Sequence, residues 1–360
     1  MVNFLRGKGP IFILPWRCTP ACTNSCVHCV FASTPITPDT LGTEETKRIV
    51  DKIHDFGATY FGIGGGEPLL RKDLPEIIGY AKKTGMDVSL ITSGYHLNEK
   101  IFDNLVRHEV RVSVSVDGPK EINDAIRGKG AYEKAVSTIK KTSEAGLLDC
   151  LVATLANVDA TQSNVTSEDM EHVIQLAEGY CARWVVIHGF VPFNRTKEHL
   201  ARAPSPQQYE KIWNDVYDLM LKYKGKPEVN VYCTFFARIA KQRGLPNFDK
   251  WFNNFFLGKC SIAGKYMSVI ENGDVIPCSF NDRIKIGNTK EKQLKQIWDK
   301  LQTSELVLKL RDRNNLMGKC GVCEYREICG GCRTRAEMYT GDLLASDPAC
   351  AYVPKVLREQ

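Results

Sequence analysis

Between residues 11 and 222 the chain alternates short apolar runs with longer stretches whose apolar residues recur every three or four positions. The short runs read as strands and the longer ones as helices, because side chains repeat every two residues on a pleat and about every 3.6 on a helix. Strands are expected at 11–14, 59–63, 87–92, 111–116, 150–155 and 184–188. Helices are expected at 44–56, 74–82, 99–106, 131–145, 167–178 and 207–222. The first of these puts Ile49, Val50, Ile53 and Phe56 on one face and stops at Gly57, a residue that tolerates the left-handed end of a helix. Six strands each followed by a helix imply a parallel sheet joined by right-handed crossovers. That is too few for a closed eight-stranded barrel, so the expected fold is α/β, either a partial (β/α)6 barrel or a doubly wound sheet. Both place their chemistry at the C-terminal ends of the strands.

The last third has a different texture. Residues 266–270 and 275–276 flank Asn272-Gly273, a strong hairpin signal, and a helix is expected at 293–301. The tail beyond is loop-rich. The division expected is a barrel over 1–222, a connecting region over 223–259 and a smaller domain over 260–360. A chain of 360 residues suits one large and one small domain, and 43% hydrophobic with 25% charged residues excludes a disordered chain. The formal charge of +6, from 48 basic and 42 acidic residues, is scattered rather than gathered in a stripe. It suits a carboxylate-bearing small molecule at least as well as nucleic acid, and no nucleic-acid partner is expected. No apolar run approaches the roughly 18 residues of a membrane span, and 11–14 is too short for a signal-peptide core. A cytoplasmic chain is expected.

Fourteen cysteines change the picture, because that is far more than packing requires. Close CxxC spacings and no secretory signal favour metal centres over disulfides. Cys22-x3-Cys26-x2-Cys29 follows the first strand, where an α/β fold builds its site. Three thiolates around a four-iron cube leave one iron open, which separates a reactive centre from a closed structural one. The competing reading is a zinc site completed by Cys18 or His28. Further on come Cys260, Cys278, Cys320, Cys323, Cys329, Cys332 and Cys350, where a zinc knuckle of Cys320, Cys323, Cys329 and Cys332 competes with iron–sulfur clusters. Cys150 and Cys181 read as buried packing cysteines.

The CxxxCxxC run resembles the radical S-adenosylmethionine superfamily, with His28 where an aromatic ring is usual. Gly65-Gly66-Glu67-Pro68 is similar to that family's GGEP motif, Thr92-Ser93-Gly94 stands where it often has Thr-Asn-Gly, and Ser115-Val116-Asp117-Gly118 is followed by Arg127. The four motifs fall at successive strand ends in the family's order. The resemblance implies a partial barrel, a [4Fe-4S] cluster with an open iron on Cys22, Cys26 and Cys29, and S-adenosyl-L-methionine as cosubstrate. It further implies cosubstrate contacts from Gly65, Gly66, Glu67, Ser93, Ser115 and Arg127. Glycines permit close approach of a ligand, Glu67 can pair with an ammonium, and Arg127 can grip a carboxylate by a forked contact. Tyr95, His96 and His188 are candidates to face the substrate, and Arg195 is a candidate carboxylate ligand.

The C-terminal cysteines resemble the SPASM extension, which carries two auxiliary [4Fe-4S] clusters. In relatives the ligands interleave, which would give Cys320, Cys323, Cys329 and Cys350 to the distal cluster and Cys260, Cys278 and Cys332 to the nearer one. Seven thiols fall one short of the eight that two fully thiolate-held cubes need. The nearer cluster is then open, or borrows Cys233 or a carboxylate. The Cys329-x2-Cys332 spacing is one residue shorter than the commoner form. Together with Arg333-Thr334-Arg335-Ala336 and Asp347-Pro348-Ala349-Cys350 it resembles the subgroup of alternative haem and haem d1 biosynthesis. That implies a tetrapyrrole side chain as substrate, for example in oxidative decarboxylation, with a peptide, a lipid or another small molecule as alternatives. It also implies an electron donor such as ferredoxin or flavodoxin. A non-catalytic iron–sulfur or zinc protein would leave the GGEP motif and Arg127 without a role.

Overall fold

Seven parallel strands lie side by side in chain order: β1 (Pro15–Arg17), β2 (Tyr60–Gly64), β3 (Asp87–Thr92), β4 (Arg111–Ser115), β5 (Leu148–Thr154), β6 (Trp184–His188) and β7 (Glu228–Tyr232). A doubly wound sheet reverses direction at a switch point, and this one never does. The wall therefore winds one way, as in a partial barrel, and among the described residues β1 and β7 do not pair with each other. The computed structural model describes residues 15–31, 40–192, 197–225, 227–254, 260–263 and 266–358. The strand expected at 11–14 and Arg195 lie outside those residues.

The sheet holds one strand more than expected. β7 falls within residues 223–259, read from sequence as a connector, because only Val229 and Val231 in its five residues are apolar and buried. The crossovers are α1 (Thr43–Asp55), α2 (Leu74–Lys83), α3 (Glu99–Arg107), α4 (Lys120–Arg127), α5 (Ala131–Glu144), α6 (Ser167–Gly179), the single turn α7 (Lys197–Leu200) and α8 (Pro206–Lys222). Three of them start at a side-chain cap: Asn98 accepts from the Ile101 N–H at 3.0 Å, Thr166 from Asp169 at 3.1 Å and Ser205 from Gln208 at 3.2 Å. Cys150 is buried as expected, whereas Cys181 is exposed, with a positive φ in the turn that follows α6. No helix of the described residues is long and apolar enough to cross a membrane.

Strand register sorts the sheet into two faces. One carries Ile63, Leu90, Val112, Val114, Leu151, Val185, Ile187, Val229 and Val231, all buried, and it is the main core. The other carries Ile91, Ser113, Ser115, Val152, Val186, His188 and Tyr232, on the side away from that core. Ile91 is 42% exposed although its strand is central, which marks that face as the wall of an open space.

The C-terminal part adds an antiparallel sheet of β8 (Ser268–Val269), β9 (Asp274–Ile276) and β10 (Gly287–Asn288), the expected hairpin with one more strand. It touches both edges of the barrel wall. On the β1 side, Arg17 holds both oxygens of Glu271, at 2.5 and 3.0 Å, and one of Asp282 at 3.0 Å. On the far side, Arg335 donates to the Phe190 carbonyl at 3.3 Å, just beyond β6. The Arg17–Glu271 pair is bidentate and its side chains are 10% and 15% exposed, so it should be worth more than a surface pair. A double-mutant cycle of Arg17→Ala and Glu271→Ala in urea denaturation should give a coupling of about 1–3 kcal/mol. Simple additivity would mean the pair does not join the two parts.

Candidate functional site

The chain leaves β1 and turns at once across the end of β2. Cys18 donates to the Gly64 carbonyl, Gly66 to Thr19 at 2.7 Å and Glu67 to Ala21 at 2.8 Å. Gly65 and Gly66 are required by this crossing: a Cβ on Gly65 would stand 2.6 Å from the Thr19 oxygen, and one on Gly66 2.2 Å from that of Ala21. The close approach expected of a ligand is thus made first by the chain itself. Gly64, by contrast, has open space where a Cβ would be. Cys18 is fully buried in the core, its carbonyl held by Arg71 at 2.8 Å, while Cys22, Cys26 and Cys29 follow on the loop. Asn24 donates its N–H to the Cys22 sulfur at 3.4 Å, and burial pushes the Cys26 thiol up to about 12.

Glu67 is buried at the β2 end. One of its oxygens accepts from Thr92 Oγ1 at 2.7 Å and from the Leu69 N–H, the other from the Ser93 N–H at 2.9 Å and the Ser93 hydroxyl. This fixes Glu67 and Ser93 against each other at adjacent strand ends.

Asp117, just past β4, is the centre of the site. It is fully buried, and one carboxylate oxygen accepts from Arg127 Nε at 2.6 Å and pairs with His28 Nε2 at 2.7 Å. The other accepts from the Thr154 N–H at 2.8 Å, at the end of β5. Burial alone would raise this carboxyl, but Arg127 and His28 outweigh it and hold it well below the usual carboxylate range. Asp117 takes only the Nε–H of Arg127, and among the described residues the terminal amino groups make no hydrogen bond. Sequence reasoning quoted Asp117 inside a motif without giving it a role. Its position between a buried strand and Gly118 was the available signal.

Ser115 ends β4 on the open face beside Val152. His188 ends β6 on the same face, stacked on its register partner Tyr232 at 4.8 Å and edge-on to Phe280 at 6.0 Å. Burial, then the nearness of His28, lowers His188 to about 4, so its ring is neutral at physiological pH. Tyr95 is 38% exposed, and His96 pairs with Thr23 Oγ1 at 2.7 Å, which ties it to the cysteine loop. Tyr232 and Phe280 carry no local sequence signal, because the end of β7 and the turn after β9 that bring them together are far apart in the chain.

The C-terminal thiols divide between two cavities. One, of about 410 Å³, is lined by Cys260, Cys278, Cys332 and Cys233 with Tyr232 and Phe280. The other, of about 390 Å³, is lined by Cys320, Cys323, Cys329 and Cys350. Cys329 and Cys332 part company because Gly330 and Gly331 both have φ of 66°, a conformation that suits glycine. The short two-residue spacing therefore turns the chain sharply. The zinc-knuckle set of Cys320, Cys323, Cys329 and Cys332 is divided between the cavities, and among the described residues no three such side chains gather closely enough for a single ion. The donor sets do suit clusters: the N–H of Gly331 donates to Cys329 sulfur at 3.3 Å, that of Asp347 to Cys320 at 3.4 Å, and Thr334 Oγ1 to Cys278 at 3.7 Å. Asp347 also accepts from the Cys332 N–H at 2.7 Å and pairs with buried Arg335 at 2.7 Å, so one residue touches both sets.

Residues 16–177 match the radical SAM superfamily, and residues 260–324 match SPASM, an iron–sulfur cluster-binding domain. The chain is 32% identical to the AdoMet-dependent heme synthase of Methanosarcina barkeri, over 95% of this chain and 97% of that one. It is 29% identical to the mycofactocin maturase MftC of Mycolicibacterium smegmatis, over 97% and 84%. Its fold is similar to that of Streptococcus suis SuiB bound to S-adenosylmethionine, with a TM-score of 0.73 at 16% identity over 96% and 78%.

The glycine geometry gives a direct test. Gly66→Ala should displace the cysteine loop and lower reconstituted iron by about a third, one cluster of three, while Gly64→Ala should leave the iron unchanged. Equal iron in both variants would mean that the crossing at Gly66 does not hold the loop.

Proposed function

The chain belongs to the radical S-adenosylmethionine superfamily and carries its SPASM iron–sulfur domain, and from that premise we propose that it oxidises a tetrapyrrole side chain. The reaction favoured is oxidative decarboxylation of a propionate. A hydrogen atom leaves the side chain, the carboxylate departs as carbon dioxide, and one further electron passes to an acceptor as a carbon–carbon double bond forms. The observation that carries this reading is the likeness to the archaeal heme synthase, which runs nearly end to end in both chains.

Cys22, Cys26 and Cys29 would hold the cluster whose open iron binds the cosubstrate. When bound there, the cluster supplies the electron that splits S-adenosylmethionine into methionine and a 5′-deoxyadenosyl radical. Arg127, oriented through its Nε by Asp117, would offer its terminal amino groups to the methionine carboxylate. Glu67, held between Thr92 and Ser93, would accept from the ammonium, and Ser115 would face the ribose. Beside them the neutral His188 ring, stacked on Tyr232 with Phe280 edge-on to both, would offer an aromatic surface to a planar macrocycle. The thiols of Cys260, Cys278 and Cys332 lie just behind that wall, where an electron acceptor would sit. The reductant would be a ferredoxin or flavodoxin.

The likeness in fold to Streptococcus suis SuiB, solved also with its precursor peptide SuiA, favours a second reading, in which the substrate is a peptide. Isotope tracing separates the two. With S-adenosylmethionine and a strong reductant, a tetrapyrrole deuterated on its propionate chains should pass deuterium to 5′-deoxyadenosine, with carbon dioxide released in step. Deuterium arriving only from a labelled peptide would overturn the tetrapyrrole assignment.

A further inference from the structure

β7 ends at Tyr232 and runs straight into Cys233-Thr234, and both of those residues line the cavity of Cys260, Cys278 and Cys332. Cys233 is 3% exposed. The neighbouring Thr234 is 8% exposed, and among the described residues its hydroxyl has no hydrogen-bond partner although it stands at the cavity wall. A buried hydroxyl without a partner costs free energy unless something in the cavity accepts from it. A cluster sulfur or thiolate there would do so.

The other cavity, of nearly the same size, is lined by four cysteines. The first is lined by four only if Cys233 is counted. Among the described residues no Asp, Glu or His lines it, and the carboxylate beside it, that of Asp347, is already taken by Arg335 and the Cys332 N–H. Cys150 provides the contrast: it is equally buried, but it lines neither cavity.

We infer that Cys233, delivered by the seventh barrel strand, is the fourth thiolate ligand of the nearer auxiliary cluster, which it shares with Cys260, Cys278 and Cys332. This rests on the iron–sulfur reading of the C-terminal domain and deepens it. The nearer cluster then has no open iron for substrate, and the barrel wall itself supplies one of its ligands. Eight thiols fall into two sets of four, which completes two cubes.

The test uses the full chain, reconstituted anaerobically, with iron content and EPR and Mössbauer spectra as readouts. Wild type and Cys150→Ala should each hold about twelve irons. Cys233→Ala should lose about one to four of them, with one auxiliary signal altered and the other unchanged. A second measurement does not depend on that variant folding. A chain with Cys22, Cys26 and Cys29 all replaced by Ala, and Cys233 intact, should show spectra unmoved by added cyanide, because every remaining iron is thiolate-capped. Iron and spectra in Cys233→Ala identical to wild type, or a cyanide-induced shift in the triple variant, would overturn the inference. Wild-type chain that takes up zinc instead of iron would sink the iron–sulfur reading beneath it.

Discussion

A single buried carboxylate organises the barrel mouth. Asp117 is out of reach of water, so its charge must be met by protein groups, and the groups that meet it come from three separate parts of the chain. His28 brings the cysteine loop, Arg127 brings the end of α4, and the Thr154 N–H brings the end of β5. The Val27 N–H adds a second bond from the loop to the Ile126 carbonyl at 3.0 Å. The loop that carries the three thiols is anchored at its start by the crossing at Gly66 and Glu67, and further along at His28. The contacts of Asp117 with His28 and Arg127 tie the loop down and aim Arg127 at the same time. Removing any one partner would leave the others buried and unbalanced, so the loop, the arginine and the strand ends behave as one unit.

A similar economy governs the C-terminal part. Asp347 receives the Cys332 N–H, gives its own N–H to the Cys320 sulfur and pairs with Arg335, which reaches back to the Phe190 carbonyl of the barrel. The two thiol sets and the barrel therefore share one buried charged pair. Gly330 and Gly331 make this possible by reversing the chain between Cys329 and Cys332. With Arg17 and Glu271 fastening the opposite edge, the small domain is held at both margins of an open sheet.

Much of this was legible in the sequence. Strands 87–92 and 184–188 fall where the sequence places them, because each is a short run rich in β-branched and apolar residues that stops at a clear break. The cysteine spacing and the glycine motif located the site, since both constrain local backbone. β7 lies in the region read as a connector because its alternation, Val229 and Val231 between more polar neighbours, spans only five residues. Asp117, Tyr232 and Phe280 have no role in the sequence alone because most of their partners come from other elements, which only the fold brings together. At Gly65 and Gly66 the space a Cβ would need is taken by the backbone of Thr19 and Ala21, a packing reason for glycine that only the fold reveals.

The central claim is that Cys22, Cys26 and Cys29 hold a reactive cluster set apart from two auxiliary ones. The most direct measurement is iron per chain together with 5′-deoxyadenosine formed under a strong reductant, compared between wild type and the variant with all three cysteines changed to Ala. Wild type should hold about twelve irons and form 5′-deoxyadenosine, and the variant should keep about eight irons and form none. Undiminished 5′-deoxyadenosine in the variant, or stoichiometric zinc with little iron in wild type, would contradict the account.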